Sequence, residues 1–217
     1  MRIYHSFFVL PLFISLATAA ASVPDLHLKS QKFWEKNKKV YSRLENQRDI
    51  IVTVKTQKLS PKQSLLELQG IGIVSADCDH SYKLAKDLNN LGGISTFIKK
   101  VRFNKKTKKF YMKVEAFLFV AELNMDVDFV ESSAQKIIKF RVYDGTFKGL
   151  LGNLIFKDYK RRKTEIQFLA DFPYTELPFP KFFIEFGLEV VIQKIAVKMR
   201  SFLETHKGLL MGEKVGR

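Results

Sequence analysis

The sequence predicts an α+β protein in which a curved antiparallel sheet of about seven strands wraps around one long C-terminal helix. Residues 97–172 alternate between apolar and polar side chains in short segments separated by turns. Three prolines then interrupt residues 172–180, and residues 181–205 repeat apolar side chains at spacings of three and four. A helix with such a wide apolar face has to be covered, and the preceding strands are the only segment large enough to cover it.

The composition is that of one globular domain with a basic surface. The chain has 217 residues, of which 46% are hydrophobic, and its formal net charge is +15 at pH 7. Its single cysteine, Cys78, excludes an intramolecular disulfide and therefore the class of small disulfide-stabilised secreted proteins. We expect Cys78 to be a buried, small apolar residue.

The first 21 residues predict a secretory signal peptide that is cleaved. Arg2 precedes an uncharged run from Ser6 to Leu16, and small residues follow at 17–21. A membrane anchor is the alternative, but the run is short for a bilayer span and contains Pro11. We therefore expect an exported protein, periplasmic or secreted, with a net charge of +14 after cleavage.

Residues 22–49 predict a basic N-terminal extension with a short helix. Phe33, Val40, Tyr41 and Leu44 are spaced to form the apolar stripe of that helix. We assign residues 50–205 to the main domain and residues 206–217 to a flexible tail.

The main domain begins with two β-branched runs, 50–58 and 64–75, which predict strands. Gly70 and Gly72 indicate a bend or bulge in the second run. Two short helices should follow the run 64–75, which is the first strand of the core sheet. One is capped by Asp79 or Ser81 and ends near Asn90, and the other, a helical or turn-like piece, covers residues 94–98.

The remaining strands are predicted from alternation of apolar and polar side chains. They cover residues 99–103, 110–116, 117–129, 137–143, 147–159 and 164–172. At Ala116-Phe117-Leu118 the apolar positions change parity. Because a one-residue shift within a strand turns its core side outward, this site must contain a bulge or a connection between two strands.

Three segments at the joints of this element order carry a resemblance to a known superfamily. They read GIVSADCDHSYKLAKDL, VDFVESSAQKIIKFRVYDGTFKGLLGNLIFKD and FLADFPYTELPFPKFFIEFGLEVVIQKIAVKMRSFLE. From about Glu67 to Glu204 the chain resembles the helix-grip (SRPBCC) superfamily of START, birch-pollen-allergen-like and polyketide-cyclase/coenzyme-Q-binding domains, most of all the last branch. It departs from the usual pattern where Asp77-Cys78-Asp79-His80 replaces a proline and an acidic residue.

The resemblance implies a cavity between sheet and helix that binds or carries a hydrophobic, lipid-like small molecule. The twenty phenylalanines leave open whether aromatic side chains line such a cavity or fill it. The residues expected to bind the ligand are Phe119, Leu123, Phe140, Val142, Phe168, Phe172, Phe182, Phe183, Phe186 and Val190.

Catalytic and metal-binding motifs are weak by comparison. Asp77, Asp79 and His80 form the one cluster with ligand-type side chains, but acids are also favoured at a helix N-terminus, which we consider the better interpretation. The sequence has no nucleophile elbow, zincin motif, phosphate loop or paired-cysteine motif. We expect no metal or cofactor. An enzyme acting on an apolar substrate in the same cavity and a ligand-free interaction module are the alternatives.

Basic side chains concentrate at two hairpin tips. Alternate connections of an antiparallel meander emerge at the same end, so these tips should lie together. The residues are Lys105, Lys106, Lys108, Lys109, Lys160, Arg161, Arg162 and Lys163. They form either a solvated surface or a site for an anionic membrane face. Nucleic acid is a less favoured partner, because the chain is expected to be exported and carries no aromatic-interleaved RNA motif.

Overall fold

The computed structural model describes residues 32–35, 37–116, 119–176 and 180–206, without the side chains of Phe119 and Phe183. The predicted signal peptide and nearly all of the predicted C-terminal tail lie outside these residues. Within them, eight antiparallel strands form one curved sheet. The strands are β1 (Ile50–Ser60), β2 (Gln63–Val74), β3 (Ile98–Asn104), β4 (Lys109–Ala116), β5 (Phe119–Glu131), β6 (Lys136–Gly145), β7 (Leu151–Asp158) and β8 (Thr164–Tyr174).

The helices lie at both ends of the described chain and between β2 and β3. They are α1 (Lys38–Ser42), α2 (Cys78–Lys86) and α3 (Leu188–Thr205). A π-helical turn follows α1 at Arg43–Gln47, a 3₁₀ helix follows α2 at Leu88–Gly93, and a second π-helical turn precedes α3 at Phe183–Gly187. The α+β class, the two short helices and the long final helix are thus confirmed, but the second short helix covers Leu88–Gly93, and the predicted segment 94–98 forms turns that lead into β3. None of the described helices is long and apolar enough to cross a membrane.

The sheet has one strand more than expected. Its order is β1-β2-β8-β7-β6-β5-β4-β3, and β1 pairs along the length of β2 from Ile50 opposite Gly72 to Ser60 opposite Gln63. β4 pairs with β5 up to Ala116 opposite Phe119. The change of parity at this point is therefore a connection between two strands.

The strand predicted from Phe147 begins only at Leu151. Two glycines before it, Gly145 and Gly149, have φ angles of +103° and +100°, which favour glycine over other residues. The Gly149 N–H donates to the carbonyl of Val142 at 2.8 Å. The chain therefore turns here instead of extending the ladder.

α3 lies across the concave face of the sheet and contacts strands at or near both of its edges. On one side the Gln193 side chain donates to the Ile50 carbonyl of edge strand β1 at 3.1 Å. On the other side Val191 packs against Val114 and Ala116 of β4. The helix therefore closes the space between the two ends of the curved sheet.

The N-terminal segment covers the opposite, outer face. Trp34 and Leu44 are each only 1% exposed and pack in one cluster with Ile71 of β2 and Leu169 of β8. The four residues of the predicted apolar stripe all lie in or against this cluster. Both faces of the central strands are therefore buried.

We expect Trp34→Ala to lower the free energy of unfolding by about 3–5 kcal/mol, because it removes a large buried side chain and leaves a cavity. Urea denaturation followed by circular dichroism measures this change. Leu59→Ala is the control, because Leu59 is 51% exposed at the end of β1, and its effect should stay within about 0.5 kcal/mol. Equal effects of the two substitutions would show that the N-terminal segment does not pack on the sheet.

Candidate functional site

A cavity of about 340 Å³ lies between the concave face of the sheet and α3. This volume is near the lower end of the range of about 300–1,000 Å³ found for small-molecule pockets. Among the described residues that line it, Arg200 is the only one that is neither apolar nor glycine. The cavity can therefore exclude water from an apolar guest but offers it few polar contacts.

Glycines keep part of the floor free of side chains. Gly70 and Gly72 of β2 line the cavity, and the pairing of β2 with both neighbours continues through them without a register shift. The pairing is therefore not interrupted by a bulge at these glycines. A Cβ atom on Gly70 would lie 3.5 Å from Cγ2 of Val52, which is an ordinary contact. A longer side chain would extend into the cavity.

Gly152 of β7 acts differently, because the ring of Phe140 lies across it. A Cβ atom on Gly152 would be 2.1 Å from Cζ of Phe140. The Phe140 ring is also stacked on Phe168 of β8, with 6.1 Å between the ring centroids and 9° between the planes. Since the ring lies flat on the sheet, it leaves space above it.

The sheet residues expected at the ligand site mostly lie at the cavity. Leu123, Phe140, Val142 and Phe168 line it. Phe172 is instead buried against the ring of Phe147, with 5.5 Å between their centroids, and does not line the cavity. The side chain of Phe119 lies outside the described part of the structure.

Three of the four helix residues expected at the site do not line the cavity. Phe182 and Phe186 are 69% and 60% exposed and stack on each other, and Val190 is half-buried beside the lining residues. The side chain of Phe183 is not described. Phe186 and Val190 each lie two residues from the lining residue Leu188, and a separation of two residues places a side chain about 200° around the helix, away from the cavity. Ile184, only 2% exposed, takes the inner position.

Sequence reasoning missed the helix residues that do line the cavity. They are Leu188, Val191, Ile192, Ile195, Ala196, Met199 and Arg200. Their spacing of three and four residues is visible in the sequence, but the prediction took the phase of the stripe from Phe182 and Phe186, which are exposed. Correct phasing starts at Leu188, where regular α-helix begins.

The Asp77, Asp79 and His80 cluster forms a helix N-terminus. Oδ1 of Asp77 accepts from the His80 N–H at 2.8 Å and caps α2, a role that we had expected of Asp79 or Ser81. Asp79 pairs instead with Lys136 at 2.7 Å. No group of three metal-ligand side chains occurs among the described residues. Cys78 is buried, as expected, and burial raises the pKa of its thiol to about 11, which keeps it unreactive.

The basic tips lie at the end of the sheet where β3, β5 and β7 finish. Half of their cations pair with acids: Lys105 with Asp87 at 3.4 Å, Lys108 with Asp128 at 2.5 Å, Lys109 with Asp126 at 2.5 Å, and Lys160 with Glu45. The other four, Lys106, Arg161, Arg162 and Lys163, form no ion pair with a described residue. The net positive charge at this end of the sheet is therefore smaller than the number of its lysines and arginines suggests, because acids neutralise part of it.

We expect Gly152→Ala to lower the free energy of unfolding by about 1–3 kcal/mol, because the new methyl group displaces the Phe140 ring. Gly70→Ala is the matched control, since its methyl group makes only ordinary contacts. Thermal and urea denaturation measure both changes. Adding Phe140→Leu to Gly152→Ala should recover part of the lost stability. Two glycine variants of equal stability would show that the ring does not lie across Gly152.

Comparison with known proteins identifies the fold. No protein-family model and no curated protein matches the sequence. Among solved structures, a START superfamily protein from Mycobacterium smegmatis has a TM-score of 0.54 and 13% identity, over 64% of this chain and 97% of that one. A STAR-related lipid transfer protein fragment from Xanthomonas axonopodis has a TM-score of 0.54 and 10% identity, over 70% and 98%.

Human STARD10 has a TM-score of 0.55 and 10% identity, over 88% of this chain and 84% of that one. Similarity at these identities is similarity of fold. The order of the strands, the two short helices after β2 and the final helix across the concave face agree with it. The chain therefore has the helix-grip fold of START superfamily proteins.

Proposed function

We propose that this protein binds and carries a hydrophobic, lipid-like small molecule in the cavity between the sheet and α3. The observation that carries the proposal is the cavity itself, about 340 Å³ of space lined by apolar side chains in the centre of the fold. Each CH₂ group buried there contributes about 0.8 kcal/mol of affinity. The fold shared with a STAR-related lipid transfer protein supports the same function.

The lining favours a carrier over an enzyme. General acid–base catalysis requires a titratable group within hydrogen-bond reach of the reacting atoms. Arg200 is the only titratable residue among the described lining residues, and a guanidinium does not exchange protons near neutral pH. An apolar substrate bound in this cavity would therefore meet no acid–base pair among the described lining residues.

Export and membrane contact complete the proposal. The export of the chain rests on residues 1–21, and N-terminal sequencing of the mature protein tests it. The membrane contact rests on the basic tips, of which Lys106 and Arg161 are exposed. Each such charge contributes about 1 kcal/mol near an anionic bilayer. A carrier that is held at a membrane surface has direct access to lipid.

The first test is extraction of the purified protein with organic solvent, followed by mass spectrometry. We expect an apolar or amphipathic molecule to copurify. Gly70→Leu should lose it, because the leucine side chain fills part of the cavity. Val197→Leu is the control on the exposed side of α3 and should retain the ligand. If the unaltered protein neither copurifies with a ligand nor binds an added apolar fluorophore, it is not a carrier.

The second test is sedimentation with vesicles that contain anionic phospholipid. Lys106→Glu combined with Arg161→Glu should weaken binding about tenfold or more at low salt, because both reversed charges face the membrane. The control is Lys55→Glu with Lys58→Glu, which reverses two exposed charges on β1, away from the tips. Equal loss of vesicle binding in both double variants would mean that binding depends on the net charge of the protein and not on the basic tips.

A further inference from the structure

Arg200 ends the cavity-lining stripe of α3. It follows Ala196 and Met199 on the inner face of the helix, and its side chain is half-buried. Ile50 and Val52 of β1 line the same cavity. A guanidinium in this position lies at the boundary between the apolar cavity and solvent.

The carboxylates closest to Arg200 are bound to other groups. The Glu204 carboxylate accepts hydrogen bonds from Nη2 of Arg48 at 2.5 Å and from the Ser75 N–H at 2.8 Å. Asp49 pairs with Arg43 at 2.8 Å. Among the described residues Arg200 forms no ion pair, and its Nη1 donates to the backbone carbonyl of Arg48.

The charges of this cluster therefore do not balance. Three arginines, Arg43, Arg48 and Arg200, stand against the two carboxylates of Asp49 and Glu204. Burial lowers the pKa of the Arg200 guanidinium, but the group stays charged at neutral pH. A partly desolvated cation without an anionic partner is unfavourable. One negative charge delivered from the cavity side would compensate it.

We propose that the carried molecule is a monoanionic amphiphile, a carboxylic acid with a single apolar chain, whose carboxylate binds Arg200 while the chain lies in the cavity. This inference rests on the proposed function. The small volume favours one chain over two, and the single excess charge favours a carboxylate over a doubly charged headgroup. The planar guanidinium fork also matches the two oxygens of a carboxylate.

The experiment compares dodecanoic acid with 1-dodecanol at pH 8 by isothermal titration calorimetry. Both ligands bring a chain of the same length to the cavity, but only the acid is charged. We expect the unaltered protein to bind the acid about tenfold or more tightly than the alcohol, because hydrogen bonds between charged groups are stronger than neutral ones. Arg200→Gln should weaken the binding of the acid about tenfold more than that of the alcohol and so remove this preference.

Lys198→Gln is the matched control. It removes the same charge from an exposed position two residues away on α3 and should keep the preference for the acid. The acid–alcohol comparison in the unaltered protein holds even if Arg200→Gln fails to fold. Equal binding of acid and alcohol, or an unchanged preference in Arg200→Gln, would overturn the inference and leave the carrier function intact. Absence of binding by both ligands would overturn the two together.

Discussion

The fold depends on how α3 is held against the curved sheet. Its two ends are fixed in buried clusters, at Ile184 before the regular helix, which is 2% exposed, and at Leu203, which is 0% exposed. These residues are roughly 28 Å apart along the helix. Between them the helix faces β2, whose Gly70 and Gly72 offer no side chains to meet it. Firm packing at both ends together with a floor poor in side chains leaves the middle hollow.

Most of the fold was predictable because apolar and polar side chains alternate along the central strands. Along β8, Ile166, Phe168 and Ala170 were expected on one face, and they do face the interior. The parity change after Ala116 located a strand connection. The segment that forms β1 was predicted as a strand but was not counted in the sheet. β1 lies at an edge and its last residues are exposed, so the alternation typical of core strands does not extend through it.

The site was predictable on the sheet and not on the helix. Alternation fixes which residues of a strand face inward, and it correctly placed Phe140 and Phe168. On the helix the period alone does not fix which apolar stripe faces the sheet, and the large side chains of Phe182 and Phe186, which are exposed, favoured the wrong phase. Arg200 was missed because a charged residue in an apolar stripe resembles a surface position, and only the geometry shows that it borders the cavity.

The π-helical turn also affects how the chain is compared with others. Such a turn amounts to one residue inserted into an α-helix, and each residue advances a helix by about 100°. A relative with uninterrupted α-helix in this position would match both residues 181–182 and Leu188–Thr205 only if its alignment contained a gap of one residue within Phe183–Gly187. Without that gap, Lys181 and Phe182 would be paired with counterparts about 100° away around the helix.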